Sequence, residues 1–218
     1  MPANIYKNQE GQRVPGVTTV IGSNLGWNKA PLMYWSWQEG INGRDYKETR
    51  DKAADIGTVA HAMVEAYIKN EANPALKLDW QDMVDTKDLV EEDLEKSIAA
   101  FTAFTEWYKV VNFQLLQSEH LLVSEVMQVG GQIDIAAIQS KRSIIDIKTS
   151  NAVYEDHLIQ LAAYGALWGE HYDEPIEAYY ILQLGKDGHF AYHYYPQLEN
   201  GLRAFLLLRE LHDLKKKI

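Results

Sequence analysis

"SIIDIKTS", residues 143–150, carries an acidic and a basic side chain within a run of isoleucines. An unpartnered charge is costly in an apolar interior, so this pattern needs a physical reason. On a β-strand, alternation places Asp146 and Lys148 on one face and Ile145 and Ile147 on the other. The isoleucines can then pack into a core. The two charged residues share a site, with their Cα atoms ~7 Å apart.

The segment just upstream predicts the neighbouring strand and a second acid. "GGQID", residues 130–134, places Asp134 after two glycines, which suit a close backbone approach or a bulge beside a site. "QSKR", residues 139–142, is typical of a turn and predicts a hairpin. Asp134 and Asp146 would then lie on adjacent strands. A shared hard cation would offset their mutual repulsion.

Hydrophobic periodicity predicts the rest of the sheet. Three strands are expected at about 113–125, 128–139 and 143–149. The helical segment "VYEDHLIQLAAYGALWGEHY" follows them, then "IEAYYILQL" and "HFAYHYY" as two strands around the turn "GKDG". A last helix is expected at about 197–216. This order indicates an α/β fold with a central mixed sheet flanked by helices.

The N-terminal half has a different texture. Helices are predicted in "KAPLMYWSWQEGI", "DYKETRDKAADIGTVAHAMVEAYIKN" and "TKDLVEEDLEKSIAAFTAFTEWYKVV". We therefore expect one domain over 1–218. Residues 1–112 form its mainly helical N-terminal part, 113–195 the sheet core with a helix at 154–170, and 196–218 the C-terminal helix.

The N-terminal part leaves two local questions. "VPGVTTVIGSNLGW" has two glycine-marked turns around a short β-branched run. In "MYWSW", residues 33–37, aromatic side chains point to more than one helix face. Core packing is the simpler interpretation, and a stacking surface for nucleic-acid bases is the alternative.

Composition narrows the functional classes. The 218 residues include no cysteine, which excludes disulfides, thiolate zinc sites and cysteine-bound iron–sulfur clusters. No window resembles a signal peptide, and no apolar run approaches the ~20 residues of a membrane helix. We expect a cytoplasmic protein that makes no contact with a membrane.

The net charge of −10 argues against a protein that coats nucleic acid through bulk positive charge. It leaves room for an enzyme whose positive charge is local. Lys141 and Arg142 lie near Lys148 in sequence. Further basic residues could line the path of a DNA strand or be ordinary solvated charge: Lys29, Arg44, Lys47, Arg50 and Lys52.

Two helices carry side chains that would complete a site on the strands. "GTVAH" places His61 in an apolar helix run, with Glu65 four residues later on the same face. "QLAAY" places Gln160 and Tyr164 on one face of the helix that follows Lys148. Each feature alone is common, but all of them occur in order along a helix–strand–strand–helix path.

The order "GTVAH", "GGQID", "IIDIKTS", "QLAAY" resembles the PD-(D/E)xK nuclease superfamily, and most closely its RecB-type exonuclease branch. The opening "VPGVTTVIG…APLMYWSW" is similar to that of phage and mitochondrial genome-maintenance exonucleases of that branch. There, a helical N-terminal part helps to cover single-stranded DNA. The resemblance spans roughly residues 14–168 and implies a restriction-endonuclease-like core.

The resemblance also implies a metal site for Mg²⁺ or Mn²⁺. Its ligands would be His61, Asp134, Asp146 and the backbone carbonyl of Ile147. A Glu on the preceding strand often joins them; Glu119 and Glu125 both match, and we prefer Glu119. Glu65 would be an outer partner of His61.

Three further residues receive catalytic roles by resemblance. Lys148 would position or activate the attacking water and steady the scissile phosphate. Gln160 and Tyr164 would support the site and the DNA end. Relatives that hold an iron–sulfur cluster with four cysteines are disfavoured, since this chain has none.

The expected function is a Mg²⁺- or Mn²⁺-dependent DNA exonuclease in recombination, repair or end processing, in the bacterial host cell if the protein is phage-encoded. The acidic surface suggests that a single-strand-binding or annealing protein delivers the DNA. The alternatives are an endonuclease or nickase with the same site, and a non-catalytic module that binds nucleic acid or a partner. A structural protein in which Asp146 and Lys148 form a surface salt bridge would leave His61, Asp134 and the glycines unexplained.

Overall fold

The computed structural model describes residues 4–26, 29–86 and 89–218. Its strands are β1 (Tyr6–Lys7), β2 (Arg13–Val14), β3 (Gln114–Ser124), β4 (Val129–Ile138), β5 (Arg142–Lys148), β6 (Ala178–Leu184) and β7 (Phe190–Tyr195). Its α-helices are α1 (Val17–Asn24), α2 (Lys29–Ile41), α3 (Tyr46–Ala72), α4 (Glu91–Val110), α5 (Glu155–His171) and α6 (Glu199–Leu214). Within these ranges, no helix is both long and apolar enough to cross a membrane.

Five strands form the central sheet in the order β3-β4-β5-β6-β7. β5 and β6 are parallel, because α5 crosses over between them, and the other neighbours are antiparallel. Ile135 pairs with Ile145 in the β4–β5 hairpin, so the predicted turn is where "QSKR" placed it. The predicted mixed sheet with flanking helices is confirmed.

Apolar side chains fill both sides of the sheet. One core joins α1, α5 and α6 to the sheet and includes Ile144 and Ile181. The other joins α3 and α4 to the opposite side and includes Ile145 and Ile147. β5 is therefore covered on both faces, and the charged residues at its end lie beside packed helices.

The structure defines one N-terminal segment that the sequence left open and shifts the start of another. The β-branched run after Gly16 forms α1, because Val17, Val20 and Ile21 pack as one face of a helix into the core. The predicted helix at 86–111 begins only at Glu91. Lys87 and Asp88 of that prediction lie outside the described residues, as does Trp27 of the opening segment.

The aromatic helix α2 also differs. The prediction that its aromatic cluster packs in the core is wrong for Met33, Tyr34 and Trp37, whose exposed fractions are 71%, 63% and 57%. The one buried side chain on this helix is Glu39, which accepts two hydrogen bonds from Arg44. The helix is thus anchored through a polar contact, and its apolar side chains face outward.

Candidate active site

The acid and the base at the end of β5 form an ion pair in which the acid is buried and the lysine is half-buried. Asp146 is 1% exposed, and its Oδ2 lies 2.7 Å from Nζ of Lys148. Among the described residues, Oδ1 of Asp146 has no hydrogen-bond partner. Burial raises the pKa of Asp146, against the opposing charge of Lys148. One carboxylate oxygen of this acid is therefore free for a ligand.

Lys148 continues into a chain of side-chain hydrogen bonds on α5. Its Nζ donates to Oε1 of Gln160 at 3.2 Å, and Nε2 of Gln160 donates to Oη of Tyr164 at 2.7 Å. Burial disfavours the charged lysine, but Asp146 and Asp134 outweigh it, and the pKa of Lys148 is raised. Lys148 is therefore held as a cation. We call Lys148, Gln160 and Tyr164 the lysine chain.

Asp134 is fixed beside this pair by the neighbouring strand. Its Oδ2 accepts a hydrogen bond of 2.7 Å from the backbone N–H of Ile147. The adjoining glycine explains the close approach of α5, because a Cβ on Gly131 would lie 2.7 Å from Cε1 of Tyr164. The glycine before it, Gly130, is covered by the ring of Tyr6. The close backbone approach that the two glycines predicted is present.

His61 on α3 faces the acids from the other side. Its Nδ1 lies 3.9 Å from Oδ1 of Asp134 and 4.0 Å from Oε1 of Glu119. One ligand atom from each of these three residues lies within 4.8 Å of the others. We call them the His61–Glu119–Asp134 cluster. Nε2 of His61 is 3.2 Å from the carbonyl oxygen of Ile147. If Nε2–H donates a hydrogen bond to that oxygen, Nδ1 is unprotonated and its lone pair can bind a metal ion.

Glu119 sits in an uncommon backbone conformation. Its φ of +49° falls in the left-handed region, which a non-glycine residue rarely adopts inside a strand. The flanking pairs, Ser118 with Ile135 and His120 with Ile133, place it opposite Asp134. Nε2 of Gln132 donates to its Oε2. Backbone strain of this kind costs roughly 1–3 kcal/mol and is concentrated at functional sites.

The cluster fits a hard divalent cation. Burial, followed by the negative charges of Asp134 and Glu65, raises the pKa of Glu119 to about 9. Two carboxylates and an imidazole nitrogen, with a free carboxylate oxygen on Asp146 nearby, are a donor set that Mg²⁺ or Mn²⁺ accepts. A bound cation would offset both the burial and the like-charge repulsion that raise this pKa.

The other candidate acids lie in different surroundings. Glu125 is in the turn after β3, where its Oε1 accepts from the backbone N–H of Gln9. Glu65 is paired with Lys69 rather than with His61. Of the three glutamates considered, the structure brings Glu119 into the cluster.

The expected basic surroundings are only partly present. Lys148 is at the site, but Arg142 begins β5 at its far end, where it pairs with Glu174. Seven residues of strand separate the two ends by roughly 20 Å, so sequence proximity of Lys141 and Arg142 to Lys148 was misleading. Arg44 pairs with Glu39, and Arg50 pairs with Asp51.

Sequence reasoning missed two polar residues near these groups. Gln132, which bonds Glu119, lies two residues before Asp134 on β4, so a search of that strand for polar side chains could have found it. Asp156 acts electrostatically on Lys148 from the first turn of α5. Nothing in its spacing distinguished it from an ordinary acid at a helix N-terminus.

Acids on two adjacent strands, beside a half-buried lysine on the second, are the arrangement expected of a metal-assisted hydrolase. A family model described as the PD-(D/E)XK nuclease superfamily matches residues 32–214, and the chain belongs to this superfamily. The predicted superfamily is thereby confirmed. Membership of it supports nuclease activity for this chain.

Comparison with solved structures and curated proteins adds little to this assignment. The chain is similar in structure to a "putative exonuclease" from Eubacterium rectale, with a TM-score of 0.43 and 14% sequence identity, over 81% of this chain and 70% of that one. A search of curated proteins found no match.

Proposed function

We propose that the protein is a metal-dependent DNA exonuclease of the RecB-type branch, built as a single nuclease domain. It acts on a single-stranded or duplex end in recombination, repair or end processing of phage or bacterial DNA. One observation carries the proposal: a buried Asp146–Lys148 pair adjoins a cluster of two acids and a histidine. Membership of the nuclease superfamily supports the hydrolytic chemistry.

Each residue has a role in this proposal. His61, Glu119, Asp134, Asp146 and the carbonyl of Ile147 hold Mg²⁺ or Mn²⁺. The ion, when bound, acidifies a water and neutralises charge on the phosphate. Because that carbonyl already faces His61, its second lone pair would serve the ion.

The lysine chain performs the rest of the chemistry. Lys148 is cationic and adjoins Asp146, so it orients the attacking water and steadies the scissile phosphate. Gln160 fixes the lysine by accepting from it, and Tyr164 fixes Gln160 in turn. These bonds hold the ammonium group in place before DNA arrives.

The charge of the protein bears on how DNA reaches the site. A net charge of −10 repels the DNA backbone over most of the surface. Bound cations and Lys148 offset that repulsion locally. We propose that a single-strand-binding or annealing protein in the bacterial cytoplasm delivers the end.

Digestion of end-labelled linear single- and double-stranded DNA with Mg²⁺ or Mn²⁺ tests the proposal. Release of short products from the ends is expected, with none in EDTA or with Lys148→Ala. Cleavage of a covalently closed circle would instead indicate the endonuclease or nickase. Cleavage by pure Asp146→Ala protein would rule out this site.

The non-catalytic module is tested separately by calorimetric titration with Mn²⁺. The His61–Glu119–Asp134 cluster predicts binding. Absence of both Mn²⁺ binding and cleavage would favour a module that keeps the fold without the chemistry.

A further inference from the structure

A groove begins where the candidate active site ends. Its volume is about 510 Å³, within the range of roughly 300–1,000 Å³ that is typical of small-ligand pockets. It opens at Thr149, the residue that follows Lys148, and reaches the hairpin between β6 and β7. Five of its lining residues have side chains suited to contact a nucleotide: Asn151, Gln183, Lys186, His189 and Phe190. We call it the β6–β7 groove.

The floor of this groove is joined to the active site through the sheet. Gln183 pairs with Lys148 in the parallel β5–β6 ladder, so the two side chains emerge on the same face. Nε2 of Gln183 donates to the carbonyl of Ser150 at 2.8 Å, and Nε2 of His193 lies 3.3 Å from its Oε1. The loop after Lys148 is thereby held in position beside the groove.

The rim is a tight turn with a fixed shape. Gly185 N–H donates to the carbonyl of His189 at 2.7 Å, and Gly188 has a φ of +84° that favours glycine. The N–H of His189 donates a hydrogen bond to Oδ1 of Asp187. Asp187 is the one acidic residue among the described residues that line the groove, and this bond engages its carboxylate. Phe190 is 39% exposed. The turn therefore presents an aromatic ring and two basic side chains.

Lys186 is the distinctive group in the groove. It is half-buried, and no carboxylate lies within 4 Å of its Nζ in the part of the chain that the structure describes. Burial and the nearby Lys96 lower the pKa of Lys186, although Asp93 acts in the opposite direction. An anion placed beside the lysine would stabilise its charged form. A phosphate is such an anion, and in the proposed function Lys148 holds a phosphate at the mouth of the groove.

We propose that the β6–β7 groove binds the nucleotide adjacent to the scissile phosphate, with Lys186 and His189 on its phosphate and Phe190 stacked on its base. The proposal rests on the proposed nuclease function and adds a subsite to it. Stacking on an aromatic ring accepts any base, so the subsite would hold the strand without reading its sequence. It would set KM rather than the rate of the chemical step.

Binding of a fluorescein-labelled oligothymidylate, measured by anisotropy with Ca²⁺ in place of Mg²⁺ at several salt concentrations, tests the groove without cleavage. Phe190→Ala should weaken binding about 5-fold or more at every salt concentration. Lys186→Ala should also reduce the salt slope by roughly 0.7, the value for one phosphate contact on a single strand. The matched controls, Leu207→Ala and Lys217→Ala, replace exposed residues on or after α6 and should change neither quantity.

Hydrolysis of bis(p-nitrophenyl) phosphate separates this proposal from the proposed function. That phosphodiester carries no nucleotide, so Phe190→Ala and Lys186→Ala should match the unsubstituted protein on it while raising KM on long oligonucleotides. The groove proposal alone would be overturned if both variants bound the oligonucleotide within twofold of the unsubstituted affinity and with a salt slope within 0.2 of the unsubstituted value. An unsubstituted protein that binds DNA in the groove but cleaves nothing would overturn the nuclease function alone.

Discussion

The two halves of the candidate site are stabilised in opposite ways. In the His61–Glu119–Asp134 cluster, carboxylates are buried close together, the pKa of Glu119 is raised to about 9, and the backbone is strained. In the lysine chain, each polar group has a partner: Lys148 on Asp146 and Gln160, and Gln160 on Tyr164. The acids of the cluster therefore lack a neutralising cation, whereas the polar groups of the lysine chain all have hydrogen-bond or ion-pair partners.

This difference separates the tasks of the two halves. Crowded acids destabilise the folded chain until a cation binds, because like charges in a low-dielectric site repel strongly. A satisfied hydrogen-bond chain costs little and positions one ammonium group. Substitutions in the cluster should therefore alter metal affinity and stability together. Substitutions in the lysine chain should alter the rate and leave metal binding intact.

The largest expected effect contrasts Asp134→Asn with Lys148→Met. Both should reduce single-turnover cleavage by at least about 10²–10³-fold, the range for losing one electrostatic contact to a transition state. Only Asp134→Asn should also lose Mn²⁺ binding in calorimetry, although its amide oxygen can still accept from the N–H of Ile147. Equal Mn²⁺ affinities of the two variants would break the comparison.

Lys148→Met leaves Asp146 buried without its cation, so a loss of folding could imitate a loss of activity. The double variant Asp146→Asn/Lys148→Met removes both charges and serves as the folding control. Its thermal unfolding should resemble that of the unsubstituted protein, while its cleavage should stay at the level of the single variants.

A smaller effect is expected for Glu119→Gln, which removes one of the crowded charges. Mn²⁺ affinity should fall about 10–100-fold, whereas the metal-free protein should become more stable above neutral pH. The folded-state pKa of Glu119 is raised from 4.5 to about 9, so its contribution to stability is complete below pH 4.5 and is lost as pH rises towards 9.

Urea unfolding of the metal-free protein between pH 5 and pH 9 measures this dependence. The unsubstituted protein should lose stability across the window more steeply than Glu119→Gln. Saturating Mn²⁺ should flatten the difference, because the ion replaces the proton. A steeper loss in Glu119→Gln would show that Glu119 is not the crowded acid. Glu125→Gln, in the turn after β3, is the matched control and should behave like the unsubstituted protein.

The next effect concerns Gln160, which touches Lys148 but none of the acids in the cluster. Gln160→Ala should reduce cleavage about 10-fold, since the lysine loses its fixed partner while keeping Asp146. The fall should lie in kcat, with KM for DNA and Mn²⁺ affinity within twofold. A change confined to KM would place Gln160 on the DNA rather than behind the lysine.

Most of the lysine chain could be predicted from residue spacing in the sequence. Alternation put Asp146 and Lys148 on one face, and a four-residue interval put Gln160 beside Tyr164. The β4–β5 hairpin followed from its turn residues. These relations are local, so short-range rules reach them.

The features that residue spacing could not predict depend on tertiary contacts. Val17 and Val20 lie in a helix because that helix fills a core against α5 and α6, which overrides their β propensity. Trp107 and Trp37 both lie in helices rich in aromatic residues, yet the first is 0% exposed and the second 57%. The helix of Trp107, α4, packs against the sheet, whereas the side chain of Trp37 on α2 faces outward. The left-handed backbone of Glu119 likewise has no signal in its sequence neighbours.

The smallest effect tests how far the lysine chain extends. Tyr164→Phe removes only the hydroxyl that accepts from Gln160, and the ring remains packed against Gly131. Gln160 keeps its bond to Lys148, so cleavage should fall by no more than about threefold and thermal stability should change little. Tyr164→Ala should do worse on both counts, because it also removes a buried ring. If Tyr164→Phe instead matched Gln160→Ala in kcat, the phenol would be acting on the DNA itself, and the chain would end at a catalytic group rather than a supporting one.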